Sequence, residues 1–250
     1  MQGSTTAIRR LSDFLHSIAS KMDGRTFLDA LAKELGIENT NSRTLYEAYL
    51  DFLELLDDAI DESNNISSES QRNKFLAPIE ALRKSFRTKP PHNSANTFGV
   101  NDTVLTQLDY AAEYLSGGPE QLVSPDLLKE LNENANSMIE QILDSDLPKY
   151  LKSRLVEILK VFQSSIITYQ LNGVSGLRKA TEEMLGILVF NNTELKQATQ
   201  NSAVSKKTIH NLLGFIEKAS KVVEFANKLK ELAAPIIKFL LPIDNNPTVS

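Results

Sequence analysis

A seven-residue repeat near the end of the chain constrains its fold more than any other feature of the sequence. With Ile209 at the first position of the repeat, the first and fourth positions are apolar from residue 209 to residue 240, apart from Lys230. The seventh position adds a third apolar residue to each repeat, and a helix with such a broad apolar face buries it. The repeat predicts a long amphipathic helix over residues 193–243, followed by a flexible tail at residues 244–250.

We expect the apolar face of this helix to be buried against protein, either within the chain or between chains. On its other face, Glu217 precedes Lys221 by four residues, and Glu224 precedes Lys228 in the same way. This order of acid and base stabilises a solvent-exposed helix face. The candidate interface residues on the apolar face are Ile209, Leu212, Ile216, Val222, Val223, Leu229, Ile236 and Ile237.

The remainder of the chain also has helical periodicity, because apolar residues recur at spacings of three and four and no segment alternates strictly. The sequence therefore predicts an all-α protein, a multi-helix bundle of about eight to ten helices. Residues 88–101 have no period and contain Pro90 and Pro91, which is typical of a loop or linker. We expect an N-terminal helical unit at 1–87, the loop or linker at 88–101, and a central helical unit at 102–192.

Composition and charge narrow the possible functions. The chain contains no cysteine, which excludes disulfides and thiolate chemistry, and we expect neither a cofactor nor a metal. No apolar run has the length of a signal peptide or a membrane span, so a cytoplasmic location is expected. Residues 1–145 have a net charge of −10 and residues 146–250 have a net charge of +5. Opposite halves would therefore attract each other, within one chain or between neighbouring chains.

A cluster of basic residues precedes the proline loop and is a candidate anion-binding patch. Its members are Arg83, Lys84, Arg87 and Lys89. Phosphate groups could contact such a patch. The surrounding sequence is acidic, however, and no aromatic residues alternate with the basic ones to stack on bases. We therefore do not expect nucleic acid as the partner.

Two further patterns suggest catalysis but have simpler structural interpretations. Arg87 and His92 are similar in spacing to the R-x4-H pattern of the helical HEPN ribonucleases, yet Pro90 and Pro91 prevent a helix between them. Carboxylates one helical turn apart could hold Mg²⁺, and the chain has Asp57, Asp58, Asp61 and Glu62. No second such set follows, so a solvated helix end is the expectation. His16 and His210 lie in apolar helices and are expected to be half-buried packing residues.

One stretch resembles a helix pair that recurs in uncharacterised all-helical bacterial proteins. It covers residues 147–186, and its shared positions are Leu147, Pro148, Tyr169, Gly173, Gly176, Leu177, Ala180 and Gly186. These positions are helix starts, packing sites and turns. The resemblance implies a bacterial or phage origin, and a place among defence or mobile-element genes. It transfers no catalytic residue.

Because the sequence offers no converging nucleophile, base and orienting group, we expect a non-enzymatic protein. The favoured function is that of a protein–protein interaction or assembly subunit, with a protein partner or a homo-oligomer. An alternative is a membrane-active effector, in which the basic C-terminal helix lies on an anionic membrane surface. Beyond Phe225 the apolar face widens, which suits that alternative. A HEPN-like ribonuclease is the third hypothesis.

Overall fold

The computed structural model describes residues 6–38, 43–115 and 123–222. These residues form ten α-helices and one short 3-10 helix, which confirms the predicted all-α, multi-helix fold. The chain divides into two compact units. The first comprises residues 1–122 with residues 167–173, and the second comprises residues 123–166 with residues 174–250.

Five α-helices belong to the first unit: α1 (Ala7–Ala19), α2 (Phe27–Leu35), α3 (Arg43–Asn64), α4 (Glu69–Thr88) and α5 (Asp102–Leu115). Helix α1 packs against α3 and α5, and α4 packs against the same two helices, so these four helices form a closed ring around one core. Helix α2 covers α1 and α3 at the side of this ring. At the centre, the Phe27 ring contacts the rings of Phe52, Phe86 and Phe98.

The second unit contains α6 (Pro125–Asp144) and most of α7 (Lys149–Ile167) and α8 (Tyr169–Phe190). It also contains α9 (Asn192–Asn201) and α10 (Ala203–Val222). Helix α6 starts where the sequence predicts, because Ser124 accepts from the backbone N–H of Leu127 and Pro125 occupies the first turn. Helix α10 packs against α6 and α9. The rings of Phe162 from α7 and Phe215 from α10 meet edge to face at 5.2 Å.

The proline-containing segment 88–101, for which the sequence predicts a loop or linker, belongs to the first unit, and most of its residues are exposed. Its 3-10 helix, Ala95–Phe98, buries Phe98, whose ring stacks on Phe86 at 4.4 Å. The backbone N–H of Ala95 donates to Arg25 O at 2.9 Å, and that of Phe27 donates to Asn93 O at 3.2 Å. These contacts hold an aperiodic segment in place, and the division between units falls after residue 122 instead.

The long C-terminal helix predicted over residues 193–243 is divided at Ser202. Helix α9 ends at Asn201, and Ser202 has extended backbone angles. The Ser202 hydroxyl then accepts from the backbone N–H of Ser205 at 3.1 Å, which starts α10. That hydroxyl also donates to the Asp146 carboxylate at 2.6 Å. The remainder of the predicted helix after Val222, and the tail at 244–250, lie outside the described residues.

Candidate functional site

The acidic cluster at the end of α3 stabilises the fold. Both oxygens of Glu62 accept from the first turn of α1: Oε1 from Ala7 N at 2.8 Å, and Oε2 from Ile8 N at 3.1 Å. A carboxylate at this position satisfies backbone donors that have no partner in the helix and complements its dipole. In the part of the chain that is described, no group of three or more histidine, cysteine, aspartate or glutamate residues could hold a metal ion.

Asp57 of the same cluster binds two of the four residues in the predicted anion-binding patch. One carboxylate oxygen lies 2.5 Å from Arg83 Nε, and the other accepts from Arg87 Nη2. Burial, together with neighbouring carboxylates such as Glu54, raises the pKa of Asp58 above its usual value, although the charge of Arg10 opposes the shift. One carboxylate of α3 therefore holds two basic side chains of α4.

The other two members of the patch differ in their surroundings. Lys89 donates from Nζ to Thr97 O, and this ammonium also lies 6.0 Å from the centre of the Phe98 ring. Lys84 is exposed to solvent. Three of the four basic residues thus have partners within the first unit, so an incoming anion would compete with those partners for each of them.

Arg87 and His92, the pair that is similar to the HEPN pattern, have separate partners. Arg87 binds Asp57, as described above, whereas His92 Nε2 lies 3.0 Å from the Tyr46 hydroxyl on α3. The His92 ring also meets the Tyr46 ring edge to face at 6.2 Å. Each side chain is held by α3, and neither orients the other.

The sequence does not reveal a polar network between α1 and α5, because Asp109 lies more than 90 residues from both Ser12 and His16. The buried Ser12 hydroxyl donates to Asp109 Oδ1 at 2.5 Å, and His16 Nε2 lies 2.9 Å from Asp109 Oδ2. Burial alone would raise the pKa of Asp109, but the hydrogen bonds from Ser12 and His16 hold it below its usual value. The Ser12 hydroxyl donates to the carboxylate and not to the imidazole, so the arrangement is not that of a serine activated by a histidine base. This network links two helices.

Three of the four predicted interface residues that the structure describes are buried. Ile209, Leu212 and Ile216 are each at most 1% exposed within this single chain. They belong to the core of the second unit and leave no surface there for another chain. Val222 is partly buried, and Val223, Leu229, Ile236 and Ile237 lie outside the described residues.

The exposed side of α10 faces a polar groove shared with α6. Lys218 pairs with Glu130, and Asn211 Nδ2 donates to Gln141 Oε1 at 2.6 Å, so the two helices run antiparallel. The groove has a volume of about 350 Å³. His210 lies on this side and is exposed, as is His16 on α1, although the sequence predicts that both histidines pack half-buried. Helical periodicity identifies the apolar face of a helix, but it does not show which polar residues beside that face are exposed.

Large apolar side chains remain on the surface of the second unit. Phe190, the last residue of α8, is 89% exposed, and the preceding Val189 is also exposed. Val204 at the start of α10 and Leu143 near the end of α6 are exposed as well. An exposed aromatic ring of this size is unusual, because its burial is favourable by ~1.5–3 kcal/mol.

No family model, curated protein or solved structure matches this chain. Fold and geometry together define the class as an all-α, multi-helix protein whose described acidic and basic clusters mainly connect its helices. None of the described helices is both long and apolar enough to cross a membrane. The resemblance of residues 147–186 to bacterial helix pairs stays a prediction.

Proposed function

We propose that this chain is a protein–protein interaction or assembly subunit, and that it associates with further copies of itself. The observation that carries this proposal is the exposure of Phe190, at 89%, beside the exposed Val189 at the end of α8. Aromatic side chains are enriched at the centres of interfaces because each buries a large apolar area with little loss of side-chain freedom. In the free chain this ring contributes nothing to the core.

The uneven charge distribution favours a second copy as the partner. Residues 1–145 have a net charge of −10, and residues 146–250 have a net charge of +5. The second half of one molecule therefore attracts the first half of another, and this attraction raises the association rate and weakens with added salt. The resemblance of residues 147–186 to bacterial helix pairs adds the proposal that such an assembly acts in bacterial or phage defence.

Sedimentation equilibrium of the full chain, compared with Phe190→Ser and Leu50→Ser, tests the proposal. Leu50 on α3 is 62% exposed and serves as the matched control, because it is a large apolar residue on the surface of the other unit. We expect the wild type and Leu50→Ser to exceed the monomer mass of 27.8 kDa increasingly with concentration, and Phe190→Ser to remain a monomer. At a protein concentration low enough for all three to be monomeric, they should unfold at the same temperature, since association itself would stabilise the folded state.

Equal masses for Phe190→Ser and the wild type would contradict this function. Vesicles of phosphatidylglycerol provide a second arm, because the membrane-active alternative depends on the basic C-terminal helix predicted over residues 193–243, whose apolar face widens beyond Phe225. Binding to these vesicles by a chain that stays monomeric at all concentrations would favour the membrane alternative over assembly.

A further inference from the structure

The groove between α6 and α10 lies within the second unit and has a largely uncharged, hydrogen-bonding lining. Helix α6 contributes Asn134, Ser137 and Gln141 at spacings of three and four, so they share one face. Helix α10 contributes Asn211. It also contributes three residues spaced four apart along one side, namely His210, Gly214 and Lys218. The groove floor is the nearly buried pair Met138 and Phe215.

Three of the lining residues form a directed chain of hydrogen bonds. Asn211 Nδ2 donates to Gln141 Oε1 at 2.6 Å, and Gln141 Nε2 donates to Ser137 Oγ at 3.1 Å. This arrangement uses one donor of Asn211 and leaves its carbonyl oxygen as an acceptor, while the Ser137 hydroxyl keeps its proton as a donor. Asn134 adds a second carboxamide on the same face. The lining therefore presents both donors and acceptors, as a peptide group does.

Gly214 is the least expected residue of the lining. It lies in the interior of the 20-residue helix α10, where glycine is unfavourable relative to alanine. A Cβ atom at this position would meet no atom within 4 Å, and the backbone has no positive φ angle. Neither packing nor backbone conformation therefore requires a glycine. Its effect is to leave the middle of the groove open to the close approach of another main chain.

The dimensions of the groove suit an extended chain. From Asn134 to Gln141, α6 rises by ~10 Å, and an extended peptide covers that length with about three residues. An extended segment also presents N–H and C=O groups that have no partner within their own chain, whereas those of a helix are already paired, so the polar lining of the groove matches an extended main chain.

We propose that this groove binds the main chain of an extended peptide segment from a protein partner, with the carboxamides of Asn134 and Asn211 hydrogen-bonded to its peptide groups and Gly214 beneath it. This inference rests on the proposed function in one respect, namely that the chain has a protein partner. The contacts are to N–H and C=O groups, so recognition depends on an extended backbone more than on the sequence of the peptide.

The test uses the full chain and a displayed library of random twelve-residue peptides as the probe. Peptides selected on the wild type are synthesised and measured against Gly214→Gln, in which a flexible side chain fills the groove. Gly186→Gln is the matched control, because Gly186 is a second helix-interior glycine whose Cβ would meet nothing within 4 Å. Both substitutions replace glycine with a better helix former, so neither variant should melt below the wild type.

We expect Gly214→Gln to weaken binding of the selected peptides at least tenfold and Gly186→Gln to change it less than twofold. Methylation of the contacted peptide nitrogens should also weaken binding tenfold, since it removes the N–H groups from which the Asn211 carbonyl oxygen would accept hydrogen bonds. The inference is overturned if no peptide is selected, if Gly214→Gln binds as the wild type does, or if methylated peptides bind equally well. If peptide binding fails while the wild type still self-associates, this inference is wrong and the proposed function stands. If the wild type binds peptides but remains a monomer at every concentration, only the proposed self-association is wrong.

Discussion

Glu62 shows how a single side chain can connect two helices that are far apart in the sequence. It accepts from Ala7 N and Ile8 N, 55 and 54 residues away, at the start of α1. Replacing Glu62 with alanine should lower the free energy of unfolding by about 1–3 kcal/mol, because two largely buried N–H groups lose their acceptor. Urea denaturation at neutral pH measures this loss.

Glu54→Ala is the control for that variant, because Glu54 lies on the same helix and is exposed. It should change the free energy of unfolding by less than about 0.5 kcal/mol, as is usual for surface substitutions. If the two variants unfold at the same urea concentration, Glu62 does not stabilise the start of α1.

Asp109 and Asp13 should respond to pH in opposite directions. The hydrogen bonds of Asp109 outweigh its burial and lower its pKa in the folded protein, so its contribution to stability is present at pH 7 and is lost as the pH falls through that lowered pKa. Asp109→Asn should therefore be less stable than the wild type at pH 7, and the difference should shrink below about pH 4.

Burial raises the pKa of Asp13, even though Arg9 opposes the shift, so ionisation of Asp13 costs the folded state stability at neutral pH. Asp13→Asn should remove that cost, leaving the protein at least as stable as the wild type at pH 7, with the gain vanishing in acid. Melting temperatures measured between pH 3 and pH 7, in steps of about half a unit around the aspartate range, would detect both trends. If the melting temperatures of the two variants, relative to the wild type, change with pH in the same direction, the opposite pKa shifts of Asp109 and Asp13 are wrong.

At the scale of the elements, α8 is kinked where Gly173 has a φ of +57° and a ψ of −147°. Side chains are strained in this region of backbone space, and a Cβ here would lie 3.3 Å from Arg10 Cδ. Arg10 cannot withdraw freely, because its Nε donates to Leu171 O at 3.0 Å. Gly173→Ala should therefore lower the free energy of unfolding by about 1–3 kcal/mol.

The matched comparison for Gly173→Ala is Gly186→Ala in the same helix, where φ is not positive and the added methyl group meets nothing within 4 Å. That substitution should stabilise the protein by about 0.5–1 kcal/mol. Chemical denaturation of both variants measures the two effects. If Gly173→Ala is as stable as Gly186→Ala, the kink at Gly173 does not require glycine.

The type of the elements can be predicted from the sequence, because helical periodicity is a local property. The start of α6 at Ser124 and Pro125 follows from local chemistry in the same way. The break at Ser202 does not, since the apolar period on either side is compatible with one continuous helix. A hydrogen bond from Ser202 to Asp146, which is 56 residues away, accompanies that break.

At the scale of the whole molecule, the division into units and the candidate sites depend on contacts that no local pattern encodes. The aperiodic segment 88–101 becomes part of the first unit because Phe98 reaches its aromatic core. Arg83 and Arg87 of the basic patch share one ion-pair partner, Asp57, which lies 26 and 30 residues earlier in the chain. The groove between α6 and α10 joins residues about 70 apart, so no local pattern associates Gly214 with Gln141.

The central claim, that Phe190 contacts a second copy of the chain, is tested most directly by hydroxyl-radical footprinting of its ring at increasing protein concentration. A side chain that is 89% exposed in the single chain should react freely at low concentration. Our account predicts that oxidation of Phe190 falls severalfold as the protein associates, while oxidation of the exposed Leu50 stays constant. An equal rate of oxidation for Phe190 across the whole concentration range would contradict it.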